Sequence, residues 1–352
     1  MMLVNRGIYK FIKKNQFAFF LKQRIFDMDF RSNLRKMKNC SKSKEQIGRE
    51  MKMLKDYWHC KPYHYVRYGL FDRNLTDDQL LDYIPSYYHY NFYADPLYAD
   101  IDISLYNNKL SLYKIFKERG IRTPEVIAVV KNSELYSLQE KRLDVDSFFE
   151  KYNTTLFFKP VFGMGGTGIL VFSKGSHTSF LASLNRRETY IVQCGIKQRE
   201  DINKINSSSV NTLRVVTQYA DNKARTCVCV MRMGREGRMV DNSHQGGLSV
   251  QINVADGSFY PYATAEHGGG CYTCHPDSGF VFKGSILEGW DKIKMLIEKS
   301  AVLFPELKEI AWDVAVTPDG IEMIELNLGY GIDHLQCTCG GMRRVLGIYP
   351  GK

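Results

Sequence analysis

Over roughly the first hundred residues Leu, Phe, Ile and Tyr recur at mixed helical spacing with Lys and Arg between them and few Gly or Pro before Pro62, which predicts several helices. The tyrosine-rich stretch SYYHYNFYADPLYAD at 86–100 breaks that spacing and ends in a proline-containing turn, so it reads as a linker or docking surface. From Asn108 the texture changes to alternating elements. A helix across LSLYKIFKERG closes at Gly120, a strand follows near VIAVV, and a helix is expected near 133–140. Strands are predicted at TLFFKP, GILVF and TYIVQC, with a helix near 176–185 between the last two. The segments NTLRVVTQYA, RTCVCVMRMG and LSVQINV alternate as strands and are joined by Asp, Asn and Gly turns. A Gly-rich loop at 268–270, an amphipathic helix over 289–303 and a hairpin complete the chain. In the hairpin, EIAWDVAVT and IEMIELN flank the turn Pro318-Asp319-Gly320. The expected organisation is a helical N-terminal region at 1–100, a mixed lobe at 101–192 and a second mixed lobe at 193–352, an α+β chain.

Composition narrows the class. A chain of 352 residues with 44% hydrophobic content has enough apolar material for more than one core, and disorder is not its default. The opening MMLVNRGIYKFIKKNQFAFFLKQRIF interrupts its apolar clusters with Lys and Arg and offers neither the run of about 20 apolar residues of a membrane span nor a small-residue cleavage site, so a cytoplasmic protein is expected. Nine cysteines spread from Cys40 to Cys339 do not form the disulfide framework of a small secreted domain, and reduced thiols are the simpler reading.

The net charge of +10 is an N-terminal property, since residues 1–75 hold 18 Lys and Arg against 6 Asp and Glu. That balance fits a solvated helical face. It also fits peripheral attraction to an anionic membrane or a polyanionic substrate. Nucleic acid is not expected, because no recognised binding module accompanies the charge.

Two constellations carry chemistry. Phe157-Phe158-Lys159-Pro160 runs into Gly163-Met164-Gly165-Gly166-Thr167-Gly168 and a second strand. A strand ending in Lys and followed by glycines can lay backbone N–H groups and one cation against phosphates, although the same pattern fits a flexible Gly-rich hairpin. It is neither a P-loop nor a dinucleotide fingerprint, because no helix follows the glycines and the Lys precedes them. The second constellation is Asp313, Glu325 and Asn327 on the two hairpin strands. Side chains alternate along a strand, so Glu325 and Asn327 share a face that Asp313 can meet from its neighbour. Three such oxygen ligands suit Mg²⁺, whereas a solvated acidic face is the alternative.

The order of these features resembles the ATP-grasp enzymes. The resemblance implies two α+β lobes with ATP between them, preceded here by the helical region, and it implies Mg²⁺, two ions, held by Asp313, Glu325 and Asn327. It matches Lys109 and Lys159 to the phosphate-binding lysines and Gly163, Gly165, Gly166, Thr167 and Gly168 to the flexible glycine loop. The connection Tyr190 to Ile196 looks like the adenine-holding segment, with Gln193 or Cys194 standing where the family has an acidic residue, Ile196 beside them, and Glu200 in reach of the ribose. Within the superfamily, SSVNTLRVVT at 208–217, Val240-Asp241-Asn242 with Gly246-Gly247-Leu248, and His275-Pro276-Asp277-Ser278-Gly279 look like the sugar-transfer-associated group over residues 70–345. The implied activity is a ligase that activates a small-molecule or glycan-linked carboxylate as its acyl phosphate and joins it to an amine or similar acceptor; the alternatives are a phosphotransferase acting on a hydroxyl and a non-catalytic nucleotide-binding regulator. Arg214 would stabilise the transferred phosphoryl group and Asn211 would orient Arg214 or a substrate carboxylate. His244 and His275 are candidate substrate contacts. Cys271-Tyr272-Thr273-Cys274-His275 also spells a c-type haem attachment pattern, for which zinc with Cys337 and Cys339 is a rival, and plain thiols are the simpler reading.

Overall fold

The computed structural model describes residues 13–163, 166–173, 175–237, 246–265 and 270–351. The N-terminal helices start where side chains replace missing backbone acceptors. Asn15 accepts from Ala18 N ahead of the helix Gln16–Phe26, Asp27 from Phe30 N ahead of Met28–Lys36, and Ser43 from Gln46 N ahead of Lys44–Trp58. Their inward residues Phe19, Phe30, Leu54 and Trp58 form one core with Val216, Val228, Val230 and Ala311 of a large sheet, so the helical region is a cap fused to that sheet. The stretch 86–100 is part of this cap and not a linker. It is helical, with a π-helical turn over His89–Ala94, and Tyr87, Tyr88 and His89 are buried. Its hydroxyls end on fixed acceptors, Tyr93 on Glu309 Oε2 at 2.9 Å and Tyr98 on the Glu309 carbonyl at 2.8 Å, which is how a phenol enters a core without stranding its polar end.

Two antiparallel sheets follow. The smaller has the order β2-β1-β5-β3-β4. Its strands are β1 (Val126–Lys131), β2 (Glu134–Tyr136), β3 (Leu156–Pro160), β4 (Leu170–Phe172) and β5 (Thr189–Cys194). Phe148, Phe149 and Leu181 from the helices Val145–Lys151 and His177–Ser183 cover one of its faces. The expected helix near 133–140 is instead the hairpin β1–β2. Asn132 and Ser133 both take positive φ (52° and 64°), the two-residue turn geometry that matches strand twist and overrides the weak helical spacing.

The larger sheet has the order β10-β9-β8-β7-β6-β11-β12. It comprises β6 (Thr212–Ala220), β7 (Lys223–Met233), β8 (Leu248–Ile252), β9 (Phe259–Ala265), β10 (Cys271–Tyr272), β11 (Glu309–Thr317) and β12 (Gly320–Asn327). The cap covers one face, and the helix Trp290–Val302 with Phe304 and Leu307 covers the other. Every residue of β11 is therefore buried. The helix Lys109–Glu118 joins the lobes. Leu112 and Phe116 enter the core of the larger lobe, while Tyr113 packs on Val126, Val161 and Ile191 of the smaller.

Candidate active site

A cleft opens between the two sheets. Its walls bring together most residues singled out from the sequence: Lys109, Lys159, Gly163, Gly166, Thr167, Cys194, Ile196, Arg214, Asp313, Glu325 and Asn327.

Lys109 is the first residue of its helix. Asn108 caps the helix by accepting from Leu110 N and Ser111 N, and the Lys109 N–H donates to the Val161 carbonyl at 2.9 Å. Anchored in this way, its ammonium bridges the two lobes, donating to the Gly163 carbonyl at 2.6 Å and pairing with Glu325 Oε1 at 3.0 Å. Lys159 lies on β3 and faces the same cleft. Gly168 has φ +78°, and a Cβ there would lie 3.0 Å from Pro160 Cγ, so the return of the loop needs glycine. Gly165 lies outside the described residues.

On the larger sheet the register places Asp313 directly opposite both Glu325 on β12 and Arg214 on β6. Arg214 Nε donates to Asp313 Oδ1 at 2.5 Å and Nη2 to Oδ2 at 3.2 Å, while Arg232 Nη2 reaches Oδ2 at 3.0 Å. Burial by itself would raise the Asp313 pKa, but the Arg214 and Arg232 charges outweigh it and hold the carboxylate below its usual range. Asp313 thus meets two guanidinium groups on the cleft wall, and Glu325 with Asn327 brings further oxygens to it that a cation could take. The Asn327 amide nitrogen donates to the Ala311 carbonyl at 3.3 Å, which leaves its oxygen as the available ligand atom. Among the described residues no three His, Cys, Asp or Glu side chains form a metal-binding group. One carboxylate and one amide fit Mg²⁺, which takes its remaining positions from water and phosphate oxygens. Four cations, Lys109, Lys159, Arg214 and Arg232, against the two carboxylates leave the cleft net positive and suited to a polyphosphate.

Arg232 is the residue that the sequence reading missed. Thr212 stands directly opposite it across β6–β7, and its hydroxyl accepts from Arg232 Nε at 3.0 Å and Nη2 at 2.7 Å. The available signal was an Arg within the apolar run CVCVMRM, where an unpaired charge would be costly.

Other expected residues stand elsewhere. Asn211 is buried, and its amide nitrogen donates to Gln198 Oε1 and to the carbonyls of Ile202 and Asn206, so it knits the loop ahead of β6 and lies off the cleft wall. Gln193 is buried with its amide on the Pro124 carbonyl at 2.9 Å, leaving Cys194 and Ile196 to line the cleft. Glu200 begins the short helix Glu200–Asn203, is exposed, and is not part of the cleft wall. His275 is buried, with Nε2 on the Gly234 carbonyl at 2.8 Å and Nδ1 accepting from Asp277 N, which satisfies both ring nitrogens structurally. His244 lies outside the described residues. Cys271, Cys274, Cys337 and Cys339 are not joined by disulfides.

Two α+β lobes, a strand-end lysine, a glycine loop and a carboxylate-bearing hairpin around one cleft define the ATP-grasp fold. The profile of the sugar-transfer associated ATP-grasp family matches residues 90–344, and the chain belongs to that family. No curated protein matches the chain. Among solved structures it is similar to D-alanyl-alanine synthetase A from Vibrio cholerae, with 12% identity and a TM-score of 0.41 over 68% of this chain and 60% of that one. It is also similar to the D-Ala:D-Ser ligase VanG from Enterococcus faecalis, with 15% identity and a TM-score of 0.38 over 70% of this chain and 59% of that one. A third is the carboxyaminoimidazole ribonucleotide synthase from Aspergillus clavatus complexed with ATP, with 12% identity and a TM-score of 0.39 over 70% and 51%. The chain therefore spans between 51% and 60% of the length of these structures.

Proposed function

We propose that this chain is an ATP- and Mg²⁺-dependent ligase that activates a carboxylate as its acyl phosphate and joins it to an amine. The observation that carries this reading is the convergence of Lys109, Lys159, Arg214 and Arg232 on a cleft that also presents Asp313, Glu325 and Asn327. Lys159 and Lys109 would pair with phosphate oxygens, and Lys109 would leave Glu325 for them. Glu325 and Asn327 would hold Mg²⁺, which when bound neutralises phosphate charge. Arg214 and Arg232, braced by Asp313, present fixed guanidinium groups to the oxygens of the γ-phosphoryl as charge develops on them. In the reaction a carboxylate oxygen attacks the γ-phosphorus and the bond to ADP breaks. The amine nitrogen then attacks the acyl carbon, inorganic phosphate leaves, and the nitrogen gives up a proton. Closure of the glycine loop over the cleft would keep water from the acyl phosphate. The family's association with sugar transfer supports a glycan-linked or small sugar-derived carboxylate as substrate, and a role in polysaccharide or glycoconjugate synthesis.

The test is ATP turnover across a panel of uronic acids, amino acids and amines. ADP formed together with equimolar free phosphate and a new amide is the expected result. ADP with a stable phosphorylated alcohol and no free phosphate would make the chain a kinase instead.

A further inference from the structure

The helix Gln16–Phe26 turns Phe19 inward onto Tyr63 and Tyr87 and sets Phe20 against Phe30, so one side of it is fixed to the cap. Its other side is apolar and uncovered by any described residue. Phe17, Leu21 and Ile25 follow at i, i+4 and i+8 and are exposed, as are Phe26 and Met28 at the junction with the next helix. The exposure is large for rings in a folded chain, 64% for Phe17 and 73% for Phe26. Around this stripe positive charge predominates, because residues 13–38 hold eight Lys and Arg against two Asp. Arg24 lies on the same helix, Arg31, Arg35 and Lys36 on the following one, and all four are exposed. The Lys61 ammonium stands 5.1 Å from the Phe17 ring centroid, so cationic and apolar groups interleave at the stripe itself.

From this face we infer that the helix Gln16–Phe26 docks in the interface of an anionic lipid bilayer, with Phe17, Leu21, Ile25 and Phe26 entering the acyl boundary and the flanking Arg and Lys side chains meeting the headgroups. An amphipathic helix with a basic rim binds by these two terms together, buried apolar area and attraction to anionic lipid. A second copy of the chain is a poorer occupant, since two such faces would bring like charges together. A linear polyanion would satisfy the charges and leave the stripe wet. Among the described residues no helix is long and apolar enough to cross a membrane, so the contact is peripheral at this helix.

The experiment is sedimentation of the full chain with vesicles of phosphatidylcholine containing roughly one-third phosphatidylglycerol, against phosphatidylcholine alone, at low and at high salt. Binding is expected to the anionic vesicles and to fall steeply with salt, because the charge contribution is screened over about 10 Å at 0.1 M. The triple variant Phe17→Gln, Leu21→Gln, Ile25→Gln removes only exposed side chains and should lose about tenfold or more in partitioning while keeping its thermal unfolding curve. The variant Arg24→Gln, Arg31→Gln, Arg35→Gln, Lys36→Gln should lose about fivefold per charge on anionic vesicles. The inference is overturned if the full chain does not sediment with anionic vesicles. It is equally overturned if the triple variant binds as well as the parent, which would mark a plain polyanion site, or if the triple substitution instead abolishes a concentration-dependent dimer.

Discussion

Both oxygens of Asp313 are occupied by guanidinium groups, and this changes what its replacement should do. A metal ligand could be exchanged for Asn with little cost, because an oxygen would remain. Asp313 is also the buried anion between Arg214 and Arg232, and removing its charge leaves two cations side by side. We expect Asp313→Asn to destabilise the fold by about 3 kcal/mol or more, seen in urea unfolding without nucleotide. Glu325→Gln should behave oppositely. Its carboxylate is a quarter exposed and its partner Lys109 keeps the Gly163 carbonyl, so stability should hardly change. What should be lost is the Mg²⁺-dependent part of ATP affinity in calorimetry, and a Mg²⁺ response equal to that of the parent would remove Glu325 from the metal site. Among the residues read from the sequence, those on regular strands, Lys159, Arg214 and Glu325, could be placed on the cleft because strand alternation fixes their face. Asn211 precedes β6, Gln193 is the next-to-last residue of β5 and Glu200 starts a short helix, and the amides of the first two are directed by Gln198 and Pro124, which the periodic pattern does not bring to them.

At the scale of elements, the hairpin β11–β12 is the part of the site with the clearest sequence signature. Its turn at Pro318-Asp319-Gly320 sets the register as far as the pair Val314 and Met323, and a one-residue bulge beyond that pair puts Glu325 opposite Asp313. The hairpin β1–β2 and the strands β9 and β10 had weaker signatures, being short or interrupted by glycine and proline. Between β8 and β9, Gly257 takes φ +76° and a Cβ there would lie 2.5 Å from Trp290 Cβ, while the Trp290 indole is held by the Val254 carbonyl at 3.0 Å. The turn therefore locks the helix Trp290–Val302 to the sheet. Gly257→Ala combines positive-φ strain with overpacking against a fixed ring, and we expect a loss on the order of 2–4 kcal/mol in unfolding free energy. A shift of less than about 0.5 kcal/mol, the size of an ordinary surface change, would show that the turn yields freely.

Across the whole molecule, the cap and the large sheet form one core, and two histidines buried in the cap make it sensitive to acid. His64 and His89 have no hydrogen-bond partner for either ring nitrogen among the described residues, and burial pushes their pKa values down to about 3 and about 4. The unfolded chain takes up a proton on each from about pH 6.5 downward and the folded chain does not. Stability is therefore intact above about pH 6.5 and falls as the pH drops towards 4, by up to about 1.4 kcal/mol per pH unit for each histidine. Urea midpoints at pH 7.5 and 5.0 should differ accordingly, and His64→Leu should flatten the dependence. Equal midpoints at the two pH values in the parent would mean that the imidazoles reach water. Glu309, whose pKa burial raises, works in the other direction and stabilises the fold only at pH values near and below its own titration.

The sequence by itself determined which chemistry the chain carries and most of the strands that carry it, because alternation, turn residues and capping are local and act within a few positions. Lys159 ahead of its glycines and Glu325 two residues from Asn327 are legible on that basis. Only the tertiary structure decided how the charges are partnered. The Asp313 clamp joins residues from three strands, and Lys109 reaches Glu325 from a helix more than two hundred positions away. The tertiary structure also turned the tyrosine-rich stretch from an expected linker into core, since aromatic rings are driven inward wherever buried acceptors such as Glu309 can take their hydroxyls. Those partners come from distant parts of the chain, and no local pattern records them.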